Sequence, residues 1–169
     1  MPGFSLWMMP PPAVRERLRA LIEDLSRRAG TPPFEPHLTL CGVDDTVEAA
    51  AIARVQPLAT RLAPVPIRLT EIGATAEYYR CLFVRAELTP VLAAAYREAC
   101  RAQSKTPSDF MPHVSLVYGD LSATDKERLI ATIGRRVEMS FTISRLALYD
   151  PVGAPPEWRC VADLPLRGV

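Results

Sequence analysis

The heptapeptide FEPHLTL at residues 34–40 recurs as FMPHVSL at residues 110–116. The two frames share Phe, Pro, His and the final Leu, and a Thr-for-Ser exchange keeps the hydroxyl. His37 and His113 occupy the same place in each frame, and they are the only two histidines in the chain. A chain that uses one frame twice needs two equivalent places to put it, and this constrains the fold more than any other feature. In a strand, residues i and i+2 share a face. His37 and Thr39 therefore project together, with Leu38 and Leu40 behind them. His113 and Ser115 do the same, with Val114 and Leu116 behind. If two such strands lie side by side or face a shared cleft, two imidazoles and two hydroxyls converge.

The surrounding pattern alternates strands and helices. Residues 4–9 read as a short strand that ends at Pro10–Pro12. Ala13–Ala29 reads as a helix, because Val14, Leu18, Leu21, Ile22 and Leu25 recur at helical spacing before Gly30. Residues 37–42 are strand-like. A helix is expected from Thr46 to about Leu62, capped by Asp45 or Thr46 and kinked or broken near Pro57. Strands are expected at 65–72 and 78–86, and a helix from Pro90 to Gln103 behind Thr89. A strand at 113–118, a helix over 122–133 stopped by Gly134, and strand-like runs at 137–149 and 157–163 complete the chain. Each frame follows a helix and a Pro-containing loop, which suggests a duplicated unit supplying one histidine per half.

Bulk properties limit the partners. The chain has 169 residues, 49% of them apolar, enough for one domain or two small lobes that share a core. Twenty basic residues against 19 acidic ones leave a net charge of +1. A broad basic surface for long duplexes is not expected at that balance. Cys41, Cys81, Cys100 and Cys160 form no C-x-x-C pair, so zinc-ribbon and thioredoxin readings gain no support. The first residues lack the basic start of a signal peptide, and no apolar run is long enough to span a bilayer. The expectation is a cytoplasmic protein with free thiols and no membrane contact. Its oligomeric state is not encoded legibly, and a monomer is favoured.

Two imidazoles and two hydroxyls on one face suit attack on a phosphodiester. A neutral imidazole takes a proton from water, and a protonated one gives a proton to the departing alkoxide. Imidazole serves both because its ordinary pKa is about 6.5. The hydroxyls donate to phosphate oxygens as charge builds on them. No metal or other cofactor is required. A zinc site from the histidines with Asp44, Asp45 or Asp120 is disfavoured, because no H-x-H or H-x-x-x-H spacing exists and Thr and Ser are poor zinc ligands. No G-x-S-x-G marks a serine nucleophile.

HLTL and HVSL together fit H-x-[ST]-φ twice in one chain. With FSLWMMP, YYRCLFV, TPSDFMPHVSLVYGDL, SRLALYD and EWRCVADLPL, the sequence resembles the two-histidine phosphoesterase superfamily, most closely its cyclic phosphodiesterase branch. The resemblance implies an α+β fold in which residues 1–169 form a single bilobal domain. Two antiparallel sheets are related by a pseudo-two-fold around a central cleft, with helices on the outer faces. It implies metal-independent hydrolysis of ribose cyclic phosphates to monophosphates. The substrate would be ADP-ribose 1'',2''-cyclic phosphate or a nucleoside 2',3'-cyclic phosphate.

Carried over by residue, the resemblance gives His37 and His113 as the acid/base pair and Thr39 and Ser115 as phosphate donors. Tyr118 becomes a hydroxyl reaching the phosphate through water, although its parity is wrong for Ser115's face unless the strand ends first. Trp7 and Tyr79 become aromatic positions that stack on a base. The direction of ring opening in the family favours His113 as the base and His37 as the acid. Two alternatives stand beside this reading. One is an enzyme on RNA ends of the 2'-5' RNA ligase type. The other is a nucleotide- or RNA-binding module without catalysis.

Overall fold

Strand β1 (Phe4–Met8) stops before three consecutive prolines, and Pro12 opens α1 (Pro12–Ala29), where its missing N–H costs no hydrogen bond. The computed structural model describes residues 3–168. Helix α1 ends at Gly30, whose φ of 69° suits a residue without Cβ, and it buries Leu18, Ile22 and Leu25. Strand β2 (Leu38–Val43) follows. Helix α2 (Glu48–Arg61) begins two residues later than expected, and neither Asp45 nor Thr46 caps it. Asp45 is instead paired with Arg54, Nε to Oδ2 2.6 Å. Nor does Pro57 break α2, which continues through buried Leu58 and Ala59.

Strand β3 (Val65–Ala74) is followed by a 3-10 turn at Tyr78–Arg80 and then β4 (Leu82–Ala86). The strand expected from residue 78 thus loses its first residues to the turn. The Thr75 hydroxyl donates to the Arg80 carbonyl at 2.8 Å and closes that turn from the side. Thr89 caps α3 (Pro90–Ala102) by accepting from the Leu92 N–H. β5 (His113–Val117) follows, and Ser122 caps α4 (Ala123–Ile133), which ends at Gly134 with φ 81°. The run expected at 137–149 divides at Ser144 into β6 (Arg136–Ile143) and β7 (Arg145–Asp150), and β8 (Arg159–Pro165) closes the sheet.

The strands are antiparallel throughout, in the order β6-β3-β4-β5-β2-β1-β7-β8. The order reads as two four-stranded halves joined edge to edge in one eight-stranded sheet. β2 with the first frame and β5 with the second are the inner edges. Only one residue pair, Leu38 with Val114, joins them. This is the two-sheet, pseudo-two-fold α+β architecture expected, with the sheets fused at the cleft. The division of 137–149 follows from the same order, because β6 is the outer strand of one half and β7 lies beside β1 in the other.

Helices support this narrow seam. α1 leaves the first half and packs on β5 and α4, while α3 leaves the second half and packs on β2 and β3. Leu38, Leu40, Val114 and Leu116 lie in the one core cluster that spans both halves, as the alternation in each frame requires. Among the described residues, no helix is long and apolar enough to cross a membrane. Leu38 is the seam residue with the most to lose. Leu38→Ala is expected to reduce the free energy of unfolding by about 2–5 kcal/mol, read from urea denaturation.

Candidate active site

The Leu38–Val114 pair fixes what surrounds it. Directly opposed residues of antiparallel strands share a face, and their neighbours on either side share the other. With Leu38 and Val114 turned to the core, continuing that one pairing by a residue in each direction puts His37 on the side of Ser115 and Thr39 on the side of His113. The histidines are then diagonal neighbours, a relation that separates backbone positions by roughly 7–8 Å. That gap suits one tetrahedral phosphate between two ring nitrogens. The row through His113 continues outward on both sides: Arg85 on β4 pairs with His113, and Trp7 on β1 pairs with Thr39.

Both imidazoles are held in the same way. His37 Nδ1 lies 2.6 Å from the carbonyl oxygen of Glu35, and His113 Nδ1 lies 2.9 Å from that of Met111. A carbonyl only accepts, so each Nδ1 carries the proton and donates it. The other nitrogen, Nε2, is thereby left to exchange protons. The intervening residue is proline in both frames, Pro36 and Pro112, which sets the chain angle between the lock and the ring. Phe-x-Pro-His is therefore a lock as well as a strand start, and His37 itself stands one residue ahead of β2.

Their surroundings differ. His37 is 6% exposed. Its ring stacks on Trp7, with centroids 3.5 Å apart and planes 6° from parallel. Burial pushes the His37 pKa down to about 4, against a smaller upward pull from the Glu35 carbonyl and a further downward push from His113. His113 is more open, and Phe83 meets it edge-on at 5.1 Å. Burial lowers its pKa as well, the Met111 carbonyl raises it, and the Arg80 and Arg85 guanidiniums add to the lowering.

The hydroxyls also differ. Thr39 is exposed, whereas Ser115 is buried and donates to the Tyr79 carbonyl at 3.1 Å. Strand β5 ends at Val117, so the alternation that told against Tyr118 no longer applies to it. Gly119, at φ 153°, turns the chain there and donates to the Tyr78 carbonyl at 3.0 Å. Tyr118 is nearly buried, stacked under Phe34 of the first frame at 3.6 Å. Burial raises its phenol pKa, with the neighbouring Ser115 side chain working the other way.

The two aromatic candidates part company. Trp7 is 2% exposed, with His37 on one face and Tyr149 on the other at 3.8 Å. Neither face of Trp7 is open to a base. Tyr79 is 58% exposed, set by the 3-10 turn above Tyr118 and Trp158. Trp158 has no role in the sequence reading. It lies close to Trp7, Tyr79 and Tyr118 alike, at 5.9, 6.1 and 5.8 Å between centroids. Its signal was available, because the chain has only two tryptophans and the other is Trp7. Among the described residues, no group of three or more His, Cys, Asp or Glu side chains is arranged to share a metal ion.

A family model described as "Cyclic phosphodiesterase-like protein" matches residues 1–149. A cyclic phosphodiesterase of Arabidopsis thaliana is 24% identical over 151 residues, covering 86% of this chain and 83% of that one. Among solved structures, E. coli LigT complexed with 3'-AMP aligns at TM-score 0.66 and 17% identity, over 98% of this chain and 99% of that one. LigT complexed with NADP+ aligns at TM-score 0.68 and 17% identity, over 98% of each chain. The protein TT0787 of Thermus thermophilus aligns at TM-score 0.65 and 20% identity, also over 98% of each. At these identities the structures establish a shared fold.

The buried histidine has a consequence for stability. Between pH 6.5 and about 4 the unfolded chain binds a proton at His37 that the folded chain refuses. Stability from this group is complete above pH 6.5 and falls as the pH falls toward 4. The shift corresponds to about 3 kcal/mol. Urea denaturation at stepped pH is expected to show that loss in the wild type and a shallower one in His37→Asn.

Proposed function

The chain belongs to the cyclic phosphodiesterase-like family of two-histidine phosphoesterases, and we propose that it opens ribose cyclic phosphates to monophosphates by proton transfer through His37 and His113. The observation that carries the reading is the matched pair of Nδ1 locks on either side of the Leu38–Val114 seam. It leaves two Nε2 atoms free to serve one phosphate from opposite sides. The substrate class is a nucleoside 2',3'-cyclic phosphate or ADP-ribose 1'',2''-cyclic phosphate.

In the proposed reaction the phosphate lies between the histidines. His113, disposed to be neutral by burial and by Arg80 and Arg85, accepts a proton from water at Nε2 as the oxygen attacks phosphorus. The bond from phosphorus to one ribose oxygen breaks, and His37 Nε2–H delivers a proton to that oxygen. His37 refuses a proton in the free protein. It becomes an acid only when the phosphate's negative charge enters beside it, which ties acid catalysis to a filled site. Thr39 donates to a phosphate oxygen directly, and Ser115 does so by rotating off the Tyr79 carbonyl. Tyr79 and Trp158 supply the faces for a base. Trp7 supports His37 instead, and Tyr118 serves as the floor beneath Tyr79 with its hydroxyl toward Ser115.

A small substrate is favoured over an RNA strand by the arginines of the second half. Arg68 on β3, Arg85 on β4 and Arg136 on β6 pair with Glu87, Glu71 and Glu138 at 3.8, 3.6 and 2.7 Å. A track for a polyanion needs unneutralised cations, and these are matched one for one. Both H-x-[ST] frames are intact, which favours catalysis over binding alone.

A panel of 2',3'-cyclic mononucleotides, ADP-ribose 1'',2''-cyclic phosphate, a 3',5'-cyclic nucleotide and a cyclic-ended oligonucleotide, each with EDTA, tests this. Turnover of a small ribose cyclic phosphate in chelator is expected. Alanine at either histidine should cost about 10²–10⁴-fold in kcat. Loss of activity with EDTA, or turnover of the oligonucleotide alone, would contradict the proposal. Trp158→Ala is expected to raise KM more than it lowers kcat, which steady-state kinetics on the same substrate would report.

A further inference from the structure

The two locks are equivalent in their hydrogen bond and unequal in what stands behind it. In the second frame the accepting carbonyl belongs to Met111. In the first it belongs to Glu35, and the Glu35 carboxylate is gripped from α1. Arg19 Nη2 lies 3.1 and 3.2 Å from its two oxygens, and Arg15 Nε lies 3.3 Å from Oε1. Arg19 is itself braced by Glu16, Nη1 to Oε2 2.6 Å. Pro36 is the single residue between this anchored group and His37.

We propose that the Arg19–Glu35 ion pair is a positioning device for His37, immobilising the Glu35 carbonyl so that Nε2 stays reserved for proton transfer. The inference rests on the acid/base reading of His37 given above. A neutral imidazole has two tautomers, and only one presents a bare Nε2. In the other tautomer Nδ1 is bare and cannot donate to the Glu35 carbonyl, so the ring loses the contact that aims Nε2 at the phosphate. The carbonyl selects the tautomer only while it stays in place, and a loop residue beside a proline has few internal hydrogen bonds to keep it there. Arg19 Nη2 shared between both carboxylate oxygens, with Arg15 Nε on Oε1, supplies the restraint from two guanidiniums.

The need for a restraint is greater at His37 than at His113. His37 is packed face to face on Trp7, with Tyr149 on the far side of the indole and Phe34 edge-on at 6.5 Å. A small shift of its loop would carry the ring out of that stack. His113 begins β5, with β4 hydrogen-bonded along its side, so the sheet itself restrains it. His37 stands just ahead of β2 and has no such ladder. Arg19 and Glu35 touch no reacting atom; their effect passes through the carbonyl.

Labelling with 15N-histidine gives two imidazole spin systems, because there are only two histidines to report. In the wild type both are expected as the Nδ1–H tautomer at neutral pH. Glu35→Met copies the second frame's residue into the first. It should move His37 toward a tautomer mixture and leave His113 unchanged. The kcat on a turned-over 2',3'-cyclic mononucleotide should fall about ten- to a hundred-fold, with KM held within about twofold. Arg19→Met should reproduce both effects, and Glu35→Gln, which still accepts from Arg19, should restore most of kcat. His37 remaining wholly Nδ1–H in both variants, with kcat within about twofold of wild type, would overturn the proposal. The tautomer measurement needs no substrate, so it decides this point even if no cyclic phosphate is turned over.

Discussion

The hydrogen bond from each histidine's Nδ1 to the carbonyl two residues earlier is the interaction on which the site depends. It converts an ambiguous side chain into one with a defined working nitrogen. It also explains the whole repeated frame. Proline sets the backbone angle, the residue before it supplies the acceptor, and histidine donates. The next residue anchors the strand in the core, and the following hydroxyl lands on the cleft face. A change at any of these places moves the same nitrogen.

The sheet then brings two such units together with little contact. One pair, Leu38 with Val114, joins β2 to β5. Without that contact the spacing of the two frames would be undefined. The narrow seam is supported from behind, where α1 and α3 each cross to the opposite half. The halves therefore differ in chemistry while sharing a scaffold. The His37 side is aromatic, with Trp7, Tyr149 and Trp158, and the His113 side carries Arg80 and Arg85, each paired with a glutamate.

Much of this is legible in the sequence, because period-two alternation in seven residues determines which side chains share a face. The same alternation hides the Nδ1 locks, since they depend on backbone carbonyls that no residue type announces. The turn at Tyr78–Arg80 reads as strand for a related reason: two tyrosines favour strand, and the Thr75 side chain that closes the turn acts from outside the segment. Asp45 reads as a helix cap and is paired with Arg54 instead, an outcome set by a partner nine residues away. Trp7 is recognisable as an aromatic at the cleft. That both of its faces are covered follows only from the arrival of β7 with Tyr149 beside β1.

If two locked imidazoles act on one phosphate in distinct protonation states, the rate must depend on pH in two steps. A pH–rate profile of kcat for a ribose cyclic phosphate, measured for wild type, His37→Ala and His113→Ala, tests it most directly. The wild type is expected to give a bell, with one limb lost in one variant and the other limb lost in the other. A wild-type profile that rises or falls in one direction only across the range where the protein is folded would contradict it.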